Sequence, residues 1–224
     1  IFGSPIEVAD ALADTGFNVV TFAGNHCFDK KETGVTDTLR YFHETYPDIT
    51  TLGIHDSEAD AAVIPIVEKN GIRIAMLNFT YGLNNSMPEK RWMVDMLSST
   101  DTVCGRIAQA KQEADFVIVF PHWGTEDELS PDESQLRWAQ EMADAGADLI
   151  ELGIPFSDPT AEGPVIQGAN LRALQDGVTT DQIFGLVRDL RRDVTIPLVF
   201  MTYANVVFSY GAERFFSACR GSTD

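Results

Sequence analysis

A short polar segment near the start of the sequence carries the side chains that bind cations and phosphoryl groups. Residues 25–29 read Asn-His-Cys-Phe-Asp and follow a run of β-branched and aromatic residues. An amide oxygen, an imidazole and a carboxylate within one turn are groups that a hard or borderline cation and a phosphoryl oxygen require. A turn in which Asn25 and Asp29 only cap a helix is the alternative interpretation, and spacing alone does not decide between the two.

A second histidine, His122, stands in a comparable position farther along the chain. It follows the apolar run at 116–120, within the sequence Pro-His-Trp-Gly. Because the carboxyl ends of parallel strands meet at one edge of a sheet, the two histidine-bearing loops are expected to converge there. A purely structural histidine at the end of a strand is the alternative.

The elements that would position these side chains alternate between helix and strand. Strands are predicted at 17–23, 72–79, 116–120, 149–152 and 196–201, and helices between Ser4 and Gly16 and at 101–113, 132–145, 170–174 and 180–191. This alternation predicts the α/β class with a mainly parallel sheet. All four histidines and all three tryptophans precede residue 148, which indicates a change of composition there.

Composition excludes several classes of function. The 16 basic and 34 acidic residues give a net charge of -18, which repels nucleic acid, so no nucleic-acid partner is expected. No apolar run approaches the roughly 18 residues of a membrane span. The cysteines Cys27, Cys104 and Cys219 are too widely spaced for a metal or redox motif. No targeting segment is visible, so the cytoplasm is the default expectation.

The first part of the chain resembles a known family. The resemblance rests on Gly-Phe-Asn-Val-Val at 16–20, the segment 25–29, Gly-Ile-Arg-Ile-Ala at 71–75 and His-Trp-Gly-Thr-Glu at 122–126. Residues 1 to about 148 resemble the CapA-type poly-γ-glutamate capsule-synthesis proteins, which look like relatives of calcineurin-type metallophosphoesterases. This resemblance implies a calcineurin-like α/β sandwich fragment over residues 1–148, and it implies the cell envelope as a location.

The same resemblance implies roles for three residues. Asn25 and His122 would match ligands of a divalent metal pair, and His26 would match the residue that assists the leaving group or a phosphoryl oxygen. Such a pair polarises the phosphate and lowers the pKa of a bound water. The family pattern also has an aspartate at an early strand end, which would lie before Ile1, and a Gly-His-His-Pro-His-like segment after the Ala-Gly-Ala-Asp strand. Neither is in this sequence, so we expect an incomplete site.

The second part is very similar to a different family. Residues 145–159 read Ala-Gly-Ala-Asp-Leu-Ile-Glu-Leu-Gly-Ile-Pro-Phe-Ser-Asp-Pro, followed by Gly-Pro-Val-Ile-Gln at 163–167 and Met-Thr-Tyr-Ala-Asn at 201–205. This is very similar to the tryptophan synthase α subunit, a (β/α)8 barrel that cleaves indole-3-glycerol phosphate. The resemblance implies a barrel fragment over 149–224, no cofactor and a tryptophan synthase β subunit as a partner. Only the second and third barrel strands of that family are represented.

Two carboxylates would carry the chemistry of this second part. Glu151 matches the strand-end general acid/base of the family. Glu162 stands where the family has an aspartate that steadies the indole N–H, and its extra methylene would misplace that contact by about an ångström. On residue type alone, both glutamates are equally well interpreted as solvated surface charges.

The two resemblances change over at the string Ala-Gly-Ala-Asp, which both families place before an apolar strand. The leading hypothesis is therefore a chimeric chain with two incomplete active sites and little or no turnover. One alternative is a metal-dependent phosphoesterase of the capsule-synthesis type, in which Glu151 or Asp158 replaces lost ligands. The others are a lyase that acts through Glu151 and a fragment that binds a tryptophan synthase β subunit through residues 155–167.

Overall fold

The computed structural model describes residues 3–124, 132–153, 179–192, 196–202 and 204–221. The chain divides into two compact units. The first comprises Ile1–Trp123 with Asp144–Asp148, and the second comprises Gly124–Ala143 with Leu149–Asp224. Both contain helices and parallel strand pairs, so the predicted α/β class is confirmed at this level.

The strands of the first unit include the two that precede the predicted polar segments. They are β1 (Val19–Thr21), β2 (Thr50–Leu52), β3 (Ile66–Lys69), β4 (Ile72–Thr80) and β5 (Phe116–His122). β1 pairs with β2 in parallel, whereas β4 pairs antiparallel with β3 and parallel with β5. In the last pairing Thr80 lies opposite His122, so β4 and β5 finish at one edge.

The helices of the first unit pack against these strands. They are α1 (Glu7–Thr15), α2 (Lys31–Thr45), α3 (Glu58–Ala61) and α4 (Thr100–Glu113), with a 3₁₀ turn at Arg91–Met93. α2 was not predicted from the sequence, although Val35, Leu39 and Phe42 recur at helical spacing and are buried. Val35 and Leu39 of α2 belong to one core cluster with Phe28. The packing of Phe28 therefore holds the turn at residues 25–29 against α2.

In its described residues, the second unit has two strands and three helices besides α5 (Glu133–Asp144), most of which belongs to it. These elements are β6 (Leu149–Gly153), α6 (Thr180–Leu190), β7 (Leu198–Met201), α7 (Ala204–Tyr210) and α8 (Ala212–Gly221). β6 and β7 are parallel, and α6 begins at a capping box of Thr179 and Gln182. The sequence did not predict α7 and α8, and the helix predicted at 170–174 lies outside the described residues.

Asp148 anchors the segment where the two resemblances meet. Its carboxylate accepts hydrogen bonds from Lys111 Nζ at 2.6 and 2.7 Å and from the Val117 backbone N–H at 2.9 Å. Its own N–H donates to the Val117 carbonyl at 2.8 Å. Gly146, with φ of +110°, makes the turn before it in a conformation that favours glycine. Asp148 thus ties the last residues of the first unit to α4 and β5.

Phe184 is the centre of the second unit's aromatic core. It is 1% exposed, and its ring lies 5.2 to 5.7 Å from the rings of Phe200, Tyr210 and Phe215. We expect Phe184→Ala to lower the free energy of unfolding of this unit by about 3–5 kcal/mol, because it leaves a large cavity. Urea denaturation monitored by amide exchange in α6 measures this loss. Phe208→Ala, at a side chain that is 75% exposed, is the matched control, and an equal loss there would contradict the assignment.

Candidate functional site

Three loops of the first unit converge at the carboxyl edge of its strands. They are residues 24–29 after β1, residues 81–86 after β4, and the end of β5 at His122. Backbone hydrogen bonds hold them together, since Tyr81 N–H donates to the His122 carbonyl and Asn84 N–H donates to the Asn25 carbonyl, both at 2.8 Å. The structure therefore brings Asn25, His26 and His122 to one place.

His122 contacts Asn25 directly. Its Nε2 donates to Asn25 Oδ1 at 3.1 Å, and its ring stacks on Tyr81 with the centroids 5.9 Å apart. Burial, with a smaller electrostatic contribution from the neighbouring His26, holds the pKa of His122 below its ordinary value. His122 is therefore neutral at physiological pH, which is the form that accepts a metal or hydrogen-bonds to a polar group.

His26 is held from both sides of its ring. Nδ1 donates to Asp29 Oδ2 at 3.0 Å, and Nε2 accepts from Asn84 Nδ2 at 3.0 Å. Asp29 is buried, and its other oxygen accepts from Asn85 Nδ2 at 2.7 Å. The helix-cap interpretation of this segment does not describe α2, whose N-cap is Lys30 with no side-chain cap hydrogen bond. Asp29 instead orients an imidazole.

Asn78 holds the strands that carry the site, and it was not predicted from the sequence. It is buried in β4, its Oδ1 accepts from the Ala23 N–H at 2.7 Å, and its Nδ2 donates to the Phe120 carbonyl at 2.8 Å. It thereby fixes the ends of β1 and β5 against each other, just before Gly24 and His122. The sequence signal that could have identified Asn78 is an amide side chain within the apolar run of β4. A polar group buried in a strand needs hydrogen-bond partners from neighbouring elements.

Asn84 and Asn85 were also missed. They lie after β4, and their amides contact His26 and Asp29 across 58 and 56 positions of sequence. The Asn-Asn-Ser string that follows a predicted strand was the only sequence signal. The partners of these amides lie in the loop that follows β1, and local patterns do not specify such long-range contacts.

The described residues do not fit a metal pair. Asn25 Oδ1 and His122 Nε2 are both uncharged as ligand atoms, and they are hydrogen-bonded to each other. Within the described ranges, no three His, Cys, Asp or Glu side chains come close enough together to hold a metal ion. Burial raises the pKa of the Cys27 thiol to about 11, so the neighbouring cysteine offers no thiolate at neutral pH. A two-metal clamp needs anionic and bridging ligands in addition.

The predicted residues of the second part are only partly covered by the structure. Glu151 lies in β6, opposite Val199 of β7, but its side chain is outside the described residues. Glu162, Asp158 and the segment 155–167 lie outside them entirely. None of the helices in the described part of the chain combines the length and apolar character needed to cross a membrane.

The chain as a whole combines two α/β protein classes. Its residues 1–153 match the bacterial capsule synthesis protein family, and residues 108–223 match the tryptophan synthase alpha chain family. Each match covers more than half of the chain, and the two overlap over 108–153. The chain belongs to both families, each through one part of its length, and both resemblances seen in the sequence are confirmed.

Curated relatives and solved structures match the second part. The tryptophan synthase alpha chain of Alkaliphilus metalliredigens is 57% identical over 79 residues, which is 35% of this chain and 30% of the relative. That of Lacticaseibacillus casei is 51% identical over 78 residues, which is 35% of this chain and 29% of the relative. This chain therefore spans just under a third of these relatives.

Two solved structures are also similar. Tryptophan synthase subunit alpha from Legionella pneumophila has 31% sequence identity and a TM-score of 0.40, covering 55% of this chain and 45% of that one. A chain of the tryptophan synthase complex from Pyrococcus furiosus has 37% identity and a TM-score of 0.36, covering 47% and 42%.

Proposed function

We propose that this chain is a chimera in which neither active site is complete, and that it has little or no turnover. The observation that carries the proposal is the state of the predicted metal ligands in the first unit. Asn25 and His122 are hydrogen-bonded to each other, and within the described residues no three His, Cys, Asp or Glu side chains come close enough together to hold a metal ion. Two uncharged ligand atoms alone do not hold the metal pair that phosphoester cleavage uses.

The proposal extends to the two folds. The first part would be a fragment of a calcineurin-like sandwich, supported by the family match over residues 1–153 and by polar loops at the carboxyl ends of β1, β4 and β5. The second part would be a fragment of a (β/α)8 barrel, supported by the family match over 108–223 and by the parallel pair β6 and β7. The described residues of this part contain two strands, and a barrel of eight strands does not close from two.

Metal content and hydrolysis test the first unit. After dialysis, we expect the protein to retain much less than one divalent ion per chain and to hydrolyse p-nitrophenyl phosphate no faster than a blank containing buffer and metal. Tightly bound metal in the protein, lost in both Asn25→Ala and His122→Ala, would contradict the proposal. His43→Ala, at an exposed histidine of α2, is the control for nonspecific binding by imidazole.

A metal-dependent phosphoesterase of the capsule-synthesis type is the second candidate function. The convergence of His26, Asn25 and His122 on one edge favours it, because these are the residues that the resemblance assigns to that chemistry. His26, oriented by Asp29, would act at a phosphoryl oxygen through Nε2 once substrate had displaced the Asn84 amide that donates to that nitrogen. This function requires metal ligands beyond Asn25 and His122, and the assay above decides between the two candidates.

The second part is tested by product formation. Its identity of 51–57% to tryptophan synthase alpha chains favours cleavage of indole-3-glycerol phosphate through Glu151 as the competing activity. We expect no indole above a blank, because one barrel fragment does not enclose the substrate. Indole that accumulates over several turnovers and disappears in Glu151→Gln would contradict this expectation. Co-purification with a tryptophan synthase β subunit at micromolar concentration would separately support the binding role.

A further inference from the structure

The side chains of the first unit's site form one chain of hydrogen bonds that all run in the same direction. His122 Nε2 donates to Asn25 Oδ1 at 3.1 Å, and Asn25 Nδ2 donates to Asn84 Oδ1 at 3.2 Å. Asn84 Nδ2 donates to His26 Nε2 at 3.0 Å, and His26 Nδ1 donates to Asp29 Oδ2 at 3.0 Å. Bonds aligned in this way polarise and strengthen one another.

Asn84 occupies the middle of this chain, and its orientation is determined by its neighbours. The Asn25 Nδ2 group can only donate, so it requires the Asn84 oxygen, and the Asn84 Nδ2 group is then directed at His26. A neutral imidazole has one N–H, which His26 donates to Asp29. The lone pair on His26 Nε2 therefore needs a donor, and Asn84 supplies it.

We propose that Asn84 is a positioning residue for His26. Its Nδ2 donates to the Nε2 lone pair of His26, and its Oδ1 accepts from Asn25 Nδ2, which fixes the orientation of Asn25. The residue predicted to act at the phosphoryl oxygen and a predicted metal ligand are thereby oriented together. The functional role of His26 in this inference rests on the proposed function. The hydrogen bonds themselves do not depend on turnover.

The loop that carries Asn84 is anchored independently of its side chain. The Asn84 backbone N–H donates to the Asn25 carbonyl at 2.8 Å, Asn85 Nδ2 donates to Asp29 Oδ1 at 2.7 Å, and Lys31 Nζ donates to Ser86 Oγ at 2.8 Å. Removing the Asn84 amide therefore leaves these three attachments of residues 81–86 in place. Asn84→Ala separates positioning from folding for this reason.

The test is the ¹⁵N spectrum of the histidine rings at one fixed pH of about 8, above the ordinary histidine pKa of about 6.5. In Asn84→Ala we expect the His26 Nε2 resonance to shift, because this nitrogen loses the Asn84 amide as a donor, while Nδ1 keeps its N–H signal. Asn85→Ala is the matched control, because Asn85 contacts Asp29 Oδ1 and its loss affects the Nδ1 side of the ring. Asn84→Ser, whose hydroxyl is too short to reach Nε2, repeats the test in a second polar background.

An unchanged Nε2 resonance in Asn84→Ala, with the backbone amide spectrum intact, would overturn the proposal. So would an equal Nε2 shift in Asn85→Ala, because it would show that the ring responds to any loosening of the loop. Neither result depends on metal binding or hydrolysis. A failed phosphoesterase or metal assay therefore leaves this test valid, and a failed ring-nitrogen test leaves the proposed function standing.

Discussion

Asn78→Leu is expected to lower the free energy of unfolding of the first unit by about 2–5 kcal/mol, because it leaves two buried backbone groups without partners, each at a cost of about 1–3 kcal/mol. These groups are the Ala23 N–H and the Phe120 carbonyl, which the Asn78 amide pairs at 2.7 and 2.8 Å. The pocket does not rearrange easily, since Gly53 passes so close that an added Cβ would lie 2.5 Å from Asn78 Oδ1. Urea denaturation followed by amide exchange of β4 residues measures the loss.

Two further variants define the origin of this effect. Asn18→Ser, at an exposed asparagine of the same unit, should change the stability by less than about 0.5 kcal/mol. Asn78→Asp keeps the shape but directs a carboxylate at the Phe120 carbonyl, so its stability should recover as pH falls and the acid becomes a donor. If Asn78→Leu were as stable as the unchanged protein, the amide would not hold β1, β4 and β5 together.

His55 is expected to make the first unit less stable as pH rises. The ring is 5% exposed and lies between two carboxylates, with Nδ1 3.2 Å from Asp60 Oδ2 and Nε2 3.0 Å from Asp95 Oδ2. The second contact is an ion pair whose N–H is not well aligned with the oxygen. Burial opposes protonation, but Asp95 and Asp60 outweigh it and raise the pKa of His55. An imidazolium is the form that satisfies both neighbours.

The direction of the pH dependence follows from this raised pKa. The stabilisation is fully present below the unfolded-state pKa of about 6.5 and is lost as pH rises through the higher folded-state pKa. His55→Gln should abolish this dependence and destabilise the unit by about 1–3 kcal/mol at low pH, because two carboxylates lose their cation. Thermal melts between about pH 6 and pH 8.5 measure it, with His43→Gln on the exposed face of α2 as control. A stability that rises over this range in the unchanged protein, but not in His55→Gln, would refute the assignment.

The loss of the His55 cation would extend toward the candidate site. The Asp95 backbone links two strands, because its N–H donates to the Gly53 carbonyl and its carbonyl accepts from the Thr80 N–H, both at 3.0 Å. Thr80 is the last residue of β4, immediately before the loop that carries Tyr81 and Asn84. The protection factor of the Thr80 amide, which corrects for the base catalysis of exchange, should therefore fall as pH rises in parallel with the loss of the His55 charge.

Strands with long apolar runs were predictable from sequence. β4 and β5 were predicted at 72–79 and 116–120, and the structure has them at Ile72–Thr80 and Phe116–His122. The proximity of residues 25–29 to His122 followed from the same pattern, because parallel strands deliver their carboxyl ends to one edge. The roles of Asn25, His26 and His122 remain predictions, as do those of Glu151 and Glu162.

Other features had no adequate local signal. β2 and β3 have three and four residues, too few for a hydrophobic period to stand out. α2 contains Gly34 and several threonines, which weaken its helical propensity, and it forms because Val35, Leu39 and Phe42 are buried by the tertiary structure. The pairing of Asn84 with His26 and that of Asn78 with Ala23 are long-range contacts, and neither partner identifies the other in sequence.

The anchoring of Asp148 has a consequence for how such a chain can arise. Its bonds to Lys111 and Val117 are made by residues that lie within the stretch matched by both family models, 108–153. Everything after this aspartate can therefore be exchanged by a genetic crossover without breaking a single one of those bonds. A foreign tail grafted directly after residue 148 would leave these bonds in place, which makes this point a suitable position for building further hybrids.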